Sequence, residues 1–350
     1  MLQLTLQHHP CLPVKAVYLS AITIGGRMKL RFPRFDRNES VSAATPAPMT
    51  EPETSQPPTE SEAPILGPDE LALLNAAALD YLRGLSLEDI QRRVDAVSVD
   101  EIETEAGIET ASKLLEDEGI VIVRDFLDQT QLKSADGAIA RVVNALEASS
   151  PERNYEDDDI LVQSAERVAT SYTAMASHQK TVATIRRGAD AGMVDVFNVD
   201  RLAGDERNAL RAPFVSEGLL RLIIEGDNPP EAKNLNLYVN RGITHTRGFH
   251  ADSFGKSLKG FVYLSDVVSL DDGPYCFVRR THVDGPWRRA NQKISELAQA
   301  KTESPFIDVG MAIPVLAPRG SLILSDQAGV HRGIPQAAGA ERRVLVMRYL

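Results

Sequence analysis

Apolar residues in the first half of the ordered chain recur at helical spacing. Leu71, Leu74, Ala78 and Leu82 predict a helix that Gly84 stops. Ser86-Leu87-Glu88-Asp89 reads as the start of a second, with Ile90, Val94 and Val97 on its apolar face. A third helix is predicted over 108–117, broken by Gly119. Ile120-Val121-Ile122-Val123 is then a continuous apolar run with strand character. Arg124–Asp128 closes that strand, and another helix follows through Leu146. Beyond it the pattern predicts a helix over 162–180, a strand over 194–199 and a helix over 215–224 that ends before Pro229-Pro230.

From Asn234 the period changes to two. Asn234, Asn236, Tyr238 and Asn240 alternate with Leu235, Leu237 and Val239, so this strand has one polar face and one apolar face. Strands are predicted over 260–265, 275–278, 311–315, 321–325 and 342–349. Asp271-Asp272-Gly273-Pro274 is a turn, and a helical stretch near 291–301 interrupts the series. Many short strands at close spacing imply a mainly β fold with flanking helices (α+β), a sandwich or barrel of the jelly-roll kind. Residues 38–68, rich in Pro, Ser, Thr, Glu and Ala, cannot bury a core. The organisation expected is a disordered, low-complexity segment over 1–64, a helical appendage over 65–109 and a β domain over 110–350.

Composition narrows the function. The 350 residues are 43% hydrophobic and 25% charged, enough for a real core. A net charge of −11 argues against nucleic-acid binding through a basic surface. Two cysteines, Cys11 and Cys276, read as reduced thiols of a cytoplasmic protein. No apolar run approaches the ~20 residues of a membrane span. Residues 1–35 hold no acidic residue, and translation from Met28 accounts for that better than a transit peptide does. Glu156-Asp157-Asp158-Asp159 reads as a solvated loop.

The candidate chemistry lies in Gly248-Phe249-His250-Ala251-Asp252-Ser253. At the start of a strand, His250 and Asp252 at i and i+2 share a face and present an imidazole and a carboxylate to one point. Two histidines and a carboxylate on one face of a metal form the facial triad of non-haem Fe(II) oxygenases. His331 is the best candidate for the third ligand.

These motifs, in order along the chain, resemble the phytanoyl-CoA dioxygenase family of Fe(II)- and 2-oxoglutarate-dependent oxygenases. Residues 117–127 resemble its opening strand and turn, and Phe249-His250-Ala251-Asp252 its first metal motif. Tyr263-Leu264-Ser265-Asp266-Val267 and Asp272-Gly273-Pro274 resemble the strand and turn that follow. Arg280-Thr281-His282 stands where the family has Gly-Ser-His, and residues 318–326 lead to His331 as its last-ligand strand does. The likeness covers 110–350 and is weak over 150–233.

The resemblance implies a double-stranded β-helix (jelly roll) core that binds Fe(2+) through His250, Asp252 and His331. It also implies an arginine for the distal carboxylate of the 2-oxoglutarate cosubstrate, eleven residues past the last histidine. Alternation alone does not separate Arg342 from Arg343; the family's spacing points to Arg342. The reaction implied is hydroxylation of a small molecule by dioxygen, with release of succinate and CO2. Asp252 favours hydroxylation over halogenation, since halogenating relatives replace the carboxylate with a small residue.

Several residues carry secondary expectations. Tyr238, Asn236 and Asn240 would line the site, with Tyr238 on the cosubstrate's C1 carboxylate. Lys259 would sit at the rim or against the cosubstrate. His245, His282 and Trp287 are candidates for the pocket wall, and Asp266 for a turn cap. Arg279, Arg280, Arg288 and Arg289, near the site mouth, read first as solvated loop charges, the alternative being that they attract an anionic substrate such as a carboxylate or a CoA thioester. Rival readings are a non-catalytic jelly-roll binding protein and a jelly-roll metalloenzyme that does not use 2-oxoglutarate.

Overall fold

A computed structural model describes residues 68–148, 160–162, 181–186, 190–203, 205, 207–224, 230–297 and 302–349. All lie in one unit, Leu66–Leu350. The low-complexity segment, the acidic run 156–159 and most of the helix expected over 162–180 fall outside the described residues.

The first helices begin where local chemistry starts them. Helix α1 spans Pro68–Arg83 and α2 spans Leu87–Asp95. Ser86 Oγ caps α2 by accepting the Asp89 N–H at 3.1 Å. After the two-residue strand β1, Ser98–Val99, Thr104 caps α3, Glu105–Glu118. Gly119, at φ 80°, ends α3 in a left-handed conformation that costs glycine little. Strand β2 (Ile120–Val123) and helix α4 (Gln129–Ala148) follow.

Three short strands come next: β3 (Ile160–Val162), β4 (Val182–Ile185) and β5 (Val194–Phe197). Val162 therefore belongs to a strand and does not open a helix. Helix α5 is Arg207–Arg211, and α6 is Glu217–Ile223. The expected helix over 215–224 is thus shorter, since 212–215 is a 3-10 turn started by Pro213. The remaining strands are β6 (Ala232–Arg241), β7 (Leu258–Tyr263), β8 (Tyr275–Val278), β9 (Ala312–Pro314), β10 (Leu322–Asp326), β11 (His331–Gly333) and β12 (Glu341–Tyr349). Helix α7, Pro286–Leu297, lies between β8 and β9.

Nine strands form one sheet in the order β1-β2-β10-β7-β12-β6-β5-β4-β3, and three form a second in the order β11-β8-β9. Among the described strands only the β1–β2 pair is parallel. The large sheet is covered on both faces, which explains the uninterrupted apolar run of β2. On one face Val121, Val262, Leu324 and Leu345 pack with residues of α3, α4 and α6. On the other, Ile122, Phe261, Ile323 and Val346 meet Tyr275 and Phe277 of β8 and Ile90 and Val94 of α2. Each such fully buried apolar side chain contributes about 1.5–3 kcal/mol. A third cluster joins Ala78 and Leu82 of α1 to Phe249, Cys276 and Val278. The residues expected as a helical appendage thus reach the floor of the small sheet and the loop that carries His250.

Candidate metal centre

His250 and Asp252 do not open a strand. The strand begins at Leu258, and His250 sits in an isolated bridge within the preceding loop. Partners far away in sequence fix that loop. The His250 N–H donates to the His331 carbonyl at 3.0 Å, and the His331 N–H returns to the His250 carbonyl at 2.8 Å. This reciprocal pair sets the two imidazoles side by side, ring centroids 4.5 Å apart. The Asp252 N–H donates to the Gln327 carbonyl and the Ala251 N–H to the Thr302 carbonyl, each at 3.0 Å. From α1, Asn75 Oδ1 accepts the Phe249 N–H at 2.7 Å.

The side chains converge. One ligand atom from each of His250, Asp252 and His331 lies within 4.8 Å of the others. Asp252 Oδ1 is 4.0 Å from His250 Nε2 and 3.7 Å from His331 Nε2. Each imidazole is oriented from behind: His250 Nδ1 lies 2.7 Å from the Gly248 carbonyl and His331 Nδ1 2.9 Å from the Gly329 carbonyl. A carbonyl only accepts, so both Nδ1 atoms carry the proton and both Nε2 lone pairs face the convergence point.

Electrostatics agree with that donor set. Burial, with His331 and Arg247 nearby, holds the His250 pKa well below its ordinary value, so the ring is neutral. Burial pushes the Asp252 carboxyl up, but Lys259 and His331 together hold it far below the ordinary carboxylate range. Lys259 Nζ binds Oδ2 of Asp252 at 2.5 Å and leaves Oδ1 toward the histidines. Two imidazoles whose Nε2 atoms face one point and an ionised carboxylate, with the remaining side open to a cavity, fit an octahedral divalent cation held on one face.

That cavity measures about 520 Å³, and the rows of side chains along β6, β7 and β12 form its floor. Arg342, Val344, Val346 and Arg348 line it from β12, and Asn234, Asn236, Tyr238 and Asn240 from β6. The register places Arg342 opposite Asn240 and Val344 opposite Tyr238, so the even-numbered face of β12 is the cavity face. Arg343 points the other way, with its Nε 3.3 Å from Glu341 Oε1. Arg342 is 8% exposed; its Nη1 donates to the Gly273 carbonyl and its Nε has no partner. No carboxylate of the described residues forms an ion pair with Arg342, and burial pulls its pKa below the ordinary arginine value.

The other sequence candidates divide. Tyr238, Asn236, Asn240 and Lys259 line the cavity. His245, His282 and Trp287 do not: His245 is exposed, His282 Nε2 sits 2.9 Å from the Glu116 carbonyl and Trp287 is 38% exposed. Asp266 caps a turn, accepting the Arg319 N–H at 2.9 Å. The four mouth arginines are engaged elsewhere. Arg279 and Arg280 clamp the buried Glu118, Arg288 binds the His282 and Phe254 carbonyls, and Arg289 pairs with Asp284.

The structure adds residues that the sequence reading passed over. Tyr275 stacks on Phe261 at 4.9 Å and lies 5.6 Å from the His331 ring, its hydroxyl 3.1 Å from Ser325 Oγ. Arg186 reaches in from the end of β4, held by Asp195 at 2.8 Å and Asp190 at 2.9 Å. Arg332 stacks on Phe249 at 5.2 Å. Arg348 shares the alternation of Arg342, a signal already present in the sequence.

No family model matches the chain, and no curated protein matches its sequence. Among solved structures it is similar to the non-heme alpha-ketoglutarate-dependent carbocyclase SnoK from nogalamycin biosynthesis: 15% identity, 68% of this chain, 82% of that one, TM-score 0.47. The epimerase SnoN from the same biosynthesis is 15% identical over 71% of this chain and 83% of its own, TM-score 0.46. HygX from Streptomyces hygroscopicus, with nickel, 2-oxoglutarate and hygromycin B bound, is 13% identical over 68% and 84%, TM-score 0.43.

Proposed function

We propose that this chain is an Fe(II)- and 2-oxoglutarate-dependent dioxygenase that hydroxylates a small molecule, and that its two sheets are the jelly-roll core of such an enzyme. One observation carries the reading. Two imidazoles and a carboxylate converge at the wall of a cavity that also holds Arg342, a buried guanidinium with no ion-pair partner among the described residues. A buried charge without a counter-ion is costly, and a dicarboxylate cosubstrate supplies the missing one.

In this reading His250 Nε2, His331 Nε2 and Asp252 Oδ1 hold the iron. Arg342 takes the distal carboxylate of 2-oxoglutarate, and Tyr238 flanks the cosubstrate's other end. Bound iron supplies the chemistry by which 2-oxoglutarate and dioxygen give succinate, CO2 and one oxygen atom for a substrate C–H bond. The protein's own task is placement. The Gly248 and Gly329 carbonyls fix the imidazoles, and Lys259 keeps Asp252 ionised with Oδ1 toward the histidines. Apolar Val344, Val346 and Phe261 keep the cavity floor dry. His250→Ala or His331→Ala should abolish Fe(II) binding while leaving the fold intact, because each removes one of three protein ligands. Anaerobic titration, read by the visible charge-transfer band of the Fe(II)–2-oxoglutarate complex, tests this, with succinate release as the turnover readout. A wild-type band in either variant refutes the ligand set; a wild type that forms no band refutes the use of 2-oxoglutarate.

A further inference from the structure

The cavity floor has two cationic poles. From one end to the other its cross-strand rungs are Arg342 with Asn240, Val344 with Tyr238 and Tyr263, Val346 with Asn236 and Phe261, and Arg348 with Lys259. Six residues of strand separate the Cα atoms of Arg342 and Arg348, roughly 20 Å. A 2-oxoglutarate gripped at Arg342 has one carboxylate there and the other on the metal, so the charge at Arg348 remains for another anion.

Three features mark that second pole. Arg348 and Lys259 stand directly opposite each other on adjacent strands, a like-charge pair that destabilises the sheet. The exposed Arg348 side chain forms no hydrogen bond or ion pair among the described residues, while the carboxylate beside Lys259 is the candidate metal ligand Asp252. Asn236 lines the cavity, and because its Oδ1 accepts the Asn198 N–H at 3.2 Å, the group it can offer a ligand is the amide NH2, a donor. The pole thus presents donors and positive charge. Arg186 and Arg247 are instead held by carboxylates, and Arg332 bonds Gly333 and Thr246 and stacks on the Phe249 ring, with its buried Nη1 left without a partner.

We propose that Arg348, with Lys259 and the Asn236 amide, forms a second anion subsite that holds a carboxylate or phosphate group, the adjoining apolar part lying over Val346 and Phe261. Assigning that anion to the substrate rests on the dioxygenase reading above; the anion binding itself does not.

The test uses three probes with one carbon skeleton: octanoate, octyl phosphate and 1-octanol. Each is titrated calorimetrically into the full chain, both metal-free and loaded anaerobically with Fe(II) and 2-oxoglutarate. Wild type should bind at least one anion about tenfold more tightly than octanol, with a preference that falls as salt rises. The tighter of the two anions identifies the group. Arg348→Met should bring the anions to within about twofold of octanol, and Arg348→Lys should keep part of the preference. The 2-oxoglutarate affinity of Arg348→Met, read from the charge-transfer band, should stay at the wild-type value. Its melting temperature without ligand should match or exceed wild type, since a like-charge pair has been removed. Equal binding of octanol and the anions, or no binding of any probe, overturns the subsite. So does an Arg348→Met variant that weakens 2-oxoglutarate and spares the probes. Failure of the charge-transfer band in wild type sinks the dioxygenase reading alone, because the metal-free titration still reports the subsite.

Discussion

At the scale of single residues, the arginine pair at the start of β12 separates mechanism from packing. Arg342 faces the cavity, while Arg343 faces away toward Glu341. Truncating one partner of a buried charge pair costs ~2–5 kcal/mol, roughly 30- to 4000-fold in affinity. Arg342→Ala should therefore raise the 2-oxoglutarate Kd by at least about tenfold with Fe(II) affinity nearly unchanged, and Arg343→Ala should do much less. Titrating both by the charge-transfer band decides it; a large loss in Arg343→Ala instead would place the cosubstrate off this face. The sequence left the pair open because alternation gives parity but not which parity faces inward. The missing fact is the register, which sets Arg342 against Asn240 on the polar face of β6. The mouth arginines mislead for a related reason. Arg279 and Arg280 look like free charge in the sequence, and their partner, Glu118, is more than 150 residues upstream.

At the scale of elements, Glu118 ends α3 and bonds Arg279 and Arg280 just past β8, so it ties a helix to the small sheet. Burial raises its pKa, but the hydrogen bonds from Arg280 and Arg279 outweigh this and leave it below the ordinary glutamate value. A carboxyl lowered on folding adds stability that is complete above its unfolded pKa of about 4.5 and vanishes as pH falls through the folded one. Glu118→Gln should cost about 1–3 kcal/mol at neutral pH. It should also flatten the loss of stability below about pH 4.5, checked by urea unfolding across pH 3–7. Equal slopes for both proteins would show that Glu118 titrates alike folded and unfolded. Elements with several turns, an alternation or a continuous apolar run were legible: α1 to α4, β2, β6, β8, β10 and β12 lie where the pattern puts them. Strands β1, β3 and β11, of two or three residues, are too short to show a period. His250 failed as a strand residue because its one-residue bridge is to His331, at the start of the distant strand β11, and no local pattern reports it.

At the scale of the whole molecule, the question is where the working unit begins. Residues 1–64 have the composition of a segment that cannot bury a core, whereas α1 is tied to the site. Asn75 accepts the Phe249 N–H, and Leu82, 0% exposed, packs with Phe249 and Cys276. Removing residues 1–64 should leave folding, Fe(II) affinity and turnover unchanged. Removing 1–84 should not: the loss of Leu82 alone costs about 2–5 kcal/mol, and the loop before His250 loses its support. Cysteine reports the difference, because the shorter deletion removes Cys11 and leaves Cys276 as the one thiol of the chain. Cys276 is 0% exposed and burial pushes its pKa up to about 12, so it should resist iodoacetamide in the 1–64 deletion. In the 1–84 deletion the cover over Cys276 is gone, and alkylation should quicken as Fe(II) affinity falls. Rapid alkylation after the shorter deletion would show that the N-terminal segment covers the small sheet. A 1–84 deletion that kept both Fe(II) affinity and thiol protection would show that α1 only decorates the fold.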